Sequence, residues 1–287
     1  MSASKPEEEL GTVEHRQLEG RVAVVAGASR SIGMGAAVEL AAAGAFVYAL
    51  ARTVEPGTGA SKGSLTETMD LIGELGGRGE PLACDCTDEA AVAQVIERVR
   101  AQHGRLDVLV NSVFAAKPFG ASVGKRFWET STDLWRDVVD LSAKSAYLAS
   151  FHAAPLMIET AQRREAPPLI VNVSGRGAVR YRYNVVYGVG KAATERLTRD
   201  MALDLRDHGV AVTSIWPNGN PVDPSKPETP RYNGRAVVAL ACDGQIMDRS
   251  GKHFWSAELG RDHGFTDEFG HTHDVGPLVD DYSLDTD

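Results

Sequence analysis

From Arg21 to Trp255 the chain alternates short β-branched runs with helix-length segments, and this alternation limits its fold more than any other feature. The strand runs are Arg21–Gly27, Ala45–Leu50, Pro81–Cys84, Leu106–Val110, Leu169–Val173, Val210–Ile215 and Lys252–Trp255. Most are apolar almost throughout rather than alternating, as strands buried on both faces must be. Between them helices are expected over Ser31–Gly44, from Leu65, and over Glu89–Gln102, Asp133–Thr160, Asn184–Asp207 and Tyr232–Cys242. Parallel strands need crossover connections, and right-handed crossovers distribute helices to both faces of the sheet. The expected class is α/β: a single doubly wound domain, with a parallel sheet of about seven strands and helices on both faces.

The domain is expected over 20–262, behind a mobile polar leader at 1–19 and ahead of a polar tail at 263–287. Val54–Gly63 reads as a flexible insertion and 112–130 as a long loop, with no internal repeat. The 43% of hydrophobic residues suffices for a full core, and the net charge of −9 speaks against nucleic acid or an anionic membrane as partner. No apolar run reaches the roughly 18 residues a membrane span needs. The acidic Glu7–Glu9 start lacks the basic and apolar character of a secretory signal. Cys84, Cys86 and Cys242 make no even framework; Cys84 and Cys86 are expected with sulfurs on opposite sides of a strand, as reduced thiols of a cytoplasmic protein.

Gly27-Ala-Ser-Arg-Ser-Ile-Gly-Met-Gly35 directly follows the first strand and opens the first helix. Glycines there allow a tight turn and close approach to a pyrophosphate, which the helix N-terminus attracts. Gly27, Ser29, Arg30, Ser31, Ile32 and Gly33 thus form a candidate phosphate cradle of a Rossmann domain. The second strand ends in Ala51-Arg52-Thr53, with no acid to take ribose hydroxyls. Arg52 and Arg30 suit a 2′-phosphate, so NADP(H) is expected over NAD(H). Asp85 either accepts from the adenine amino group or caps the helix near Glu89. Cys86, Asn111 and Pro217, at the ends of the third, fourth and sixth strands, are further candidates for cofactor contact.

Ser174 ends the fifth strand, thirteen residues before Tyr187, and Lys191 follows Tyr187 by one helical turn on the same face. A free tyrosine titrates near 10, too high for a base at neutral pH. An ammonium one turn away, with a positive nicotinamide, favours the phenolate. Tyr187 can then exchange a proton with a substrate hydroxyl or carbonyl while Ser174 binds its oxygen and Lys191 fixes the ribose. Tyr187 and Lys191 are therefore both catalytic and cofactor-binding candidates.

Taken together, the cradle, Asn111, Ser174 and Tyr187-x-x-x-Lys191 resemble the classical short-chain dehydrogenase/reductase family over roughly residues 20–260. Phe127-Trp-Glu-Thr, Tyr187-Gly-Val-Gly-Lys191-Ala-Ala and Gly234–Leu240 look like its dehydrogenase/reductase family member 1-like subgroup. The resemblance implies an NADP(H)-dependent carbonyl reductase or alcohol dehydrogenase, forming a homodimer or homotetramer through the long helices 133–160 and 184–207. Several positions depart from the family pattern. Ser31 replaces the second glycine, Ala26 a threonine, and Asn111-Ser-Val-Phe114 the usual Asn-Asn-Ala-Gly. Asp140 stands where the resemblance implies the relay asparagine, the fourth catalytic member, whose carbonyl holds a water. These departures leave a second class open, a nucleotide-binding sensor or non-redox cyclase or dehydratase.

Arg176, Arg180 and Arg182, with Tyr183, lie between Ser174 and Tyr187 and are expected to wall the substrate site. They either recognise an acidic group on the carbonyl or alcohol substrate or form a solvated loop or subunit contact. Four prolines in 221–230 preclude a lid helix, so the lid at 218–231 is shortened. Lys117, Lys125, Arg126 and Trp128 are expected near the entrance. His271 and His273 read as a polar tail, and no metal is expected.

Overall fold

A computed structural model of the chain describes residues 17–59, 61–163, 165–217 and 225–274. Strands β1 (Val22–Ala26), β2 (Phe46–Ala51) and β3 (Arg78–Ala83) alternate with helices α1 (Ser31–Ala42), α2 (Leu65–Glu74) and α3 (Glu89–His103). Strand β4 (Val108–Asn111) leads through the short α4 (Ala116–Gly120) and α5 (Asp133–Trp135) into a π-helical stretch, Arg136–Lys144, and then α6 (Ser145–Ala161). The chain continues through β5 (Leu169–Val173), α7 (Val185–Leu205), β6 (Ala211–Trp216), α8 (Pro230–Ala241), α9 (Ile246–Arg249), β7 (His253–Trp255) and α10 (Ser256–His263). All seven strands are parallel in one sheet, ordered β3-β2-β1-β4-β5-β6-β7. The strand order reverses between β1 and β4, which opens a crevice at the carboxyl edge.

Each sheet face is covered by its own apolar cluster. Val25, Val47, Val110 and Val171 face α1 and α8, whereas Val24, Leu109, Ile170 and Val212 face α3 and α6. Helices α1 and α8 meet at Gly35 and Gly234, where a Cβ on Gly234 would lie 2.2 Å from the Gly35 carbonyl oxygen. Beside this contact Glu39 binds Arg231 at 2.6 Å and Arg235 at 3.4 Å. Asp107 accepts the Val22 N–H at 2.8 Å while two guanidinium nitrogens of Arg105 bind its carboxylate, pinning β4 beside β1.

The doubly wound sheet matches the sequence reading, and the differences lie at its margins. Leu18 is fully buried and its N–H donates to the Ala43 carbonyl, so 17–19 belong to the domain rather than to a leader. Residues 1–16 lie outside the described residues, as do 218–224 of the lid and 275–287 of the tail. The described remainder of the lid, 225–229, is non-helical, and α8 starts on Pro230, whose missing N–H costs nothing at a first helical position. The tail is expected to be polar and flexible from 263, yet after α10 (Ser256–His263) residues 264–274 fold against α8, where Arg235 donates to the Thr266 carbonyl. There the Asp267 carboxylate accepts from the N–H groups of Phe269 and His271, and buried His273 packs 4.4 Å from the Tyr232 ring. Cys84 and Cys86 also depart from expectation. Both lie past the end of β3, and both thiols sit in one apolar cluster, where a hydrogen bond from Cys86 holds the Cys84 thiol below its usual range. All three cysteines are free.

Candidate active site

The crevice is a cleft of about 350 Å³ at the carboxyl edge of the sheet. Its phosphate end is the turn between β1 and α1, where the N–H groups of Gly27 and Ala28 both donate to the Leu50 carbonyl. Gly27 has φ of +86°, and a Cβ there would lie 2.7 Å from the Ser112 carbonyl oxygen, so only glycine lets β1 and β4 approach this closely. Gly33 acts by packing rather than by lining: a Cβ on it would lie 2.2 Å from the Gly27 oxygen. Ser31, the departure noted above, adopts φ of +49°, a left-handed conformation that costs an L-residue about 1–2 kcal/mol. Thr68 of α2 braces the turn by donating to the Ala28 carbonyl at 2.8 Å.

Gly27, Ser29, Arg30, Ser31, Ile32, Arg52, Asp85, Cys86 and Pro217 all line the cleft. Arg30 Nη1 is buried and has no hydrogen-bond partner, the state of a donor kept for an anion. Arg52 lies 3.9 Å from the Asp85 carboxylate, an exposed pair that leaves its guanidinium available. Asp85 accepts from the Thr87 N–H at 3.0 Å and hydroxyl at 2.7 Å, which hold its pKa down against the upward push of burial. It does not cap α3; Asp88 does, accepting from Ala90 and Ala91. The cradle geometry, the unpaired guanidinium nitrogen and the second arginine together fit a phosphorylated dinucleotide.

Asn111 requires a correction. Its amide faces inward and donates to Asn172 Oδ1 at 2.9 Å and to Ser150 at 3.2 Å, bracing β4 against β5 below the cleft. Its turn neighbours Ser112, Val113 and Phe114 line the cleft in its place.

At the other end Ser174, Tyr187 and Lys191 line the same cleft. Asn184 caps α7 and accepts the Tyr187 N–H at 2.9 Å, which fixes where the helix begins and so where the phenol emerges. The Asn184 amide also donates to Ser122 at 2.9 Å, tying the α4 segment to the start of α7. Glycines make room for the phenol ring: a Cβ on Gly177 would lie 2.3 Å from Tyr187 Cε1, and one on Gly175 3.2 Å from the hydroxyl. Lys191 donates to the Val173 carbonyl at 3.1 Å and stands 5.8 Å from the Tyr187 ring centre. Phe114, Phe119 and Tyr183 surround Tyr187 with ring centres at 6.3, 5.0 and 5.1 Å.

Without the nicotinamide, this enclosure favours the neutral phenol. Burial pushes the Tyr187 phenol up to about 12, reinforced by Tyr183 and opposed by Arg182, with no lowering from Lys191. Burial likewise pulls the Lys191 ammonium down to about 8, against the opposing charge of Glu195. In the protein alone, desolvation is the largest cause acting on each of the two groups.

The Asp140 side chain is exposed and outside the cleft lining, and the role expected of this residue rests on its backbone carbonyl. The π-helical stretch turns Leu141 into the cleft instead, while Ser142 Oγ lies 3.6 Å from where a Gly190 Cβ would stand. Nor do Arg176, Arg180 and Arg182 line the cleft; Tyr183 alone of that group contributes to the wall. Tyr183 holds φ of +65°, an uncommon left-handed conformation for an aromatic residue. Lys117, Lys125, Arg126 and Trp128 are exposed and outside the lining, which Phe114 and Phe119 supply from that segment. Sequence signals existed for Asn184, as a helix cap, and for Gly175 and Gly177, as closely spaced glycines. Nothing local marked Phe119.

A cleft at a strand-order reversal, with a glycine cradle at one end and a serine, tyrosine and lysine at the other, defines a nucleotide-binding α/β protein. The chain matches the short chain dehydrogenase family model over residues 21–230, and it belongs to that family. Within the family it falls in the subgroup of dehydrogenase/reductase SDR family member 1. It is 38% identical to the mouse protein of that name, covering 93% of this chain and 88% of the relative, and 37% identical to the human one, covering 88% and 85%. Among solved structures it is similar to a metagenomic short-chain oxidoreductase in complex with NADP, with 30% identity, a TM-score of 0.65 and coverage of 79% of this chain and 93% of that one. A dehydrogenase from Xanthomonas campestris shares the fold with a TM-score of 0.76 at 20% identity, over 91% and 99% of the two chains.

Gly177→Ala tests how the phenol is seated. Its new methyl has nowhere to go but into the Tyr187 ring, so oxidoreductase turnover is expected to fall by about a hundredfold. Stability, followed by urea unfolding, is expected to drop by only about 1–3 kcal/mol. Turnover close to wild type would show that the phenol position is not critical.

Proposed function

We propose that this protein is an NADP(H)-dependent oxidoreductase that interconverts a carbonyl compound and its secondary alcohol. One observation carries the reading: the cradle with Arg30 and Arg52, and the group Ser174, Tyr187 and Lys191, line a single cleft. Bound NADP(H) supplies the hydride. Ser174 holds the substrate oxygen by hydrogen bonding, and Tyr187 gives or takes the proton at that oxygen. A protonated phenol, which the enclosed site favours, is the state required to donate to a carbonyl in the reducing direction. Lys191 holds the ribose and offsets negative charge as the phenol loses its proton. The apolar wall of Phe114, Phe119, Leu141 and Tyr183 suits a neutral substrate better than an acidic one.

Following NADPH absorbance against a panel of ketones tests the reaction. Oxidation by the wild type, lost in Tyr187→Phe with NADPH binding retained, is the expected result. Tight binding without oxidation of any ketone would instead identify a sensor, and residual Tyr187→Phe turnover near wild type would remove the phenol from the chemistry.

The cofactor preference rests on two guanidinium groups and no acid at the end of β2. Replacing Arg30 and Arg52 together by alanine is expected to weaken NADPH binding by at least about tenfold, on the scale of one charge-assisted contact, and to leave NADH binding little changed. Equal losses for both cofactors in a fluorescence titration would overturn the assignment.

The oligomer is read from helices α6 and α7, which expose Tyr147, Phe151, Val185, Val189 and Leu203. A homodimer or homotetramer joined through these faces would cover them. Light scattering is expected to give two or four times the chain mass, and a monomer at micromolar concentration would refute this. Among the described residues no helix is long and apolar enough to cross a membrane. The free cysteines support a reducing, cytoplasmic setting.

A further inference from the structure

The open side of the Tyr187 phenol is taken up by another side chain. One side of the ring lies on the Gly177 backbone, where no Cβ fits. The other is covered by Phe119, with ring centres 5.0 Å apart and planes inclined by 31°. Two further rings close round Phe119: Phe114 at 5.2 Å and Tyr183 at 5.3 Å, both in edge-to-face contact. The same two meet Tyr187 edge to face, at 6.3 and 5.1 Å. Tyr187, Phe114 and Tyr183 thus make a three-ring seat, and the Phe119 ring fills it. All four residues line the cleft.

The seat is held without help from Phe119. Tyr187 is set by the Asn184 cap at 2.9 Å. Phe114 follows Ser112, whose N–H donates to the Ala26 carbonyl at 2.9 Å, and its ring lies 5.3 Å from the Lys191 ammonium. Tyr183 is set by its left-handed backbone and by the Arg182 guanidinium, 5.1 Å from its ring centre. Phe119 is anchored differently. Its carbonyl accepts from the Ser122 N–H at 2.9 Å and hydroxyl at 2.6 Å, which fixes the backbone of α4 but not the ring. Phe119 is half-buried, its neighbours Lys117, Pro118, Gly120 and Ala121 are exposed, and a Cβ on Gly120 would meet nothing within 4 Å. Its ring can therefore turn toward solvent about the Cα–Cβ bond while α4 stays in place.

The vacated seat selects its next occupant. It offers one tilted face contact and two edge-to-face contacts, which favour an aromatic ring over an aliphatic group of equal size. We propose that Phe119 is a specificity-determining residue that holds the place of an aromatic ring: an aryl ketone, or the matching benzylic alcohol, displaces it and seats its own ring against Tyr187, Phe114 and Tyr183, with the carbonyl directed to the Tyr187 hydroxyl. This assignment rests on the oxidoreductase function proposed above and narrows its substrate. In reduction the carbonyl carbon takes the hydride and the carbonyl oxygen the phenol proton, with oxidation of NADPH to NADP, and the phenol regains its proton from solvent.

Acetophenone and cyclohexyl methyl ketone share a carbon skeleton and differ in the planarity of the ring, so together they isolate the ring contacts. Their dissociation constants are measured by ligand-observed NMR on the NADP-loaded protein, because conjugation lowers the reactivity of an aryl carbonyl and obscures a comparison of rates. Wild type is expected to bind acetophenone roughly three- to tenfold more tightly, the size of one ring-to-ring contact. Phe114→Leu, which removes one ring of the seat, is expected to shrink that preference. Phe119→Ala, with no ring to displace, is expected to bind acetophenone several-fold more tightly than wild type. Were Phe119 a fixed wall against the substrate, the same change would weaken the binding of both ketones. Equal wild-type affinities, or acetophenone binding weakened in Phe119→Ala, would overturn the proposal. Should Phe119→Ala fail to fold, Phe119→Leu, which keeps an apolar side chain without a ring, is expected to shift acetophenone binding in the same direction. NADPH absorbance separates the seat from the reaction. An aryl preference in binding with NADPH oxidised by neither ketone would defeat the proposed function and leave the seat as a binding site. Oxidation by both ketones with no aryl preference in binding would defeat the seat alone.

Discussion

The contact between Gly27 and Ser112 is the constraint on which the rest of the cleft depends. At this point the chain leaving β1 crosses the chain leaving β4, with no room for a Cβ between them. The strand order reverses here, so α1 turns to one face of the sheet while the α4 segment departs along the other side of the cleft. A larger residue at 27 would separate the two strand ends and widen the cleft floor that the cradle and Phe114 share. Gly33, packed on the Gly27 carbonyl, then sets how closely α1 rides on the turn. The left-handed Ser31 is the strained member of this arrangement.

From that floor the two ends of the cleft follow different electrostatic rules. At the phosphate end the polar groups are open, and Arg52 and Asp85 are both well exposed, so water moderates their charges. At the catalytic end aromatic rings exclude water, and burial dominates both Tyr187 and Lys191. The same enclosure that opposes a phenolate also strengthens any charge placed close by, because the local dielectric is low. A protonated tyrosine paired with a weakly held lysine proton is therefore a consequence of packing.

Most of the fold was legible because parallel strands must be buried on both faces, and their β-branched runs announce this without ambiguity. The catalytic spacing was legible for a similar reason: Tyr187 and Lys191 share a helix face whatever the surrounding fold. What escaped depended on contacts made across the molecule. Asn111 ends a strand exactly as a cleft residue would, but its amide finds Asn172 on the adjacent strand and turns inward. The π-helical stretch at Arg136–Lys144 escaped as well, and it sets which groups face α7, among them the Val138 carbonyl and Ser142 beside Gly190. The three arginines looked like a substrate wall by sequence position alone, but of that segment Tyr183 is the residue that lines the cleft.

Glycines at 175 and 177 and aromatics at 114 and 119 are two halves of one device. The glycines remove side chains from one side of the Tyr187 ring so that it can sit flush against the backbone. The phenylalanines then cover the other side, and Asn184 links their segment to the helix that carries the phenol. Because that link runs through Ser122, movement of the α4 segment and movement of the α7 cap are mechanically joined. Opening the wall toward a substrate must therefore either break the Asn184–Ser122 hydrogen bond or rotate Phe119 alone. Rotation of a single ring is the lower-cost route, since it leaves the capped helix and the position of the phenol undisturbed.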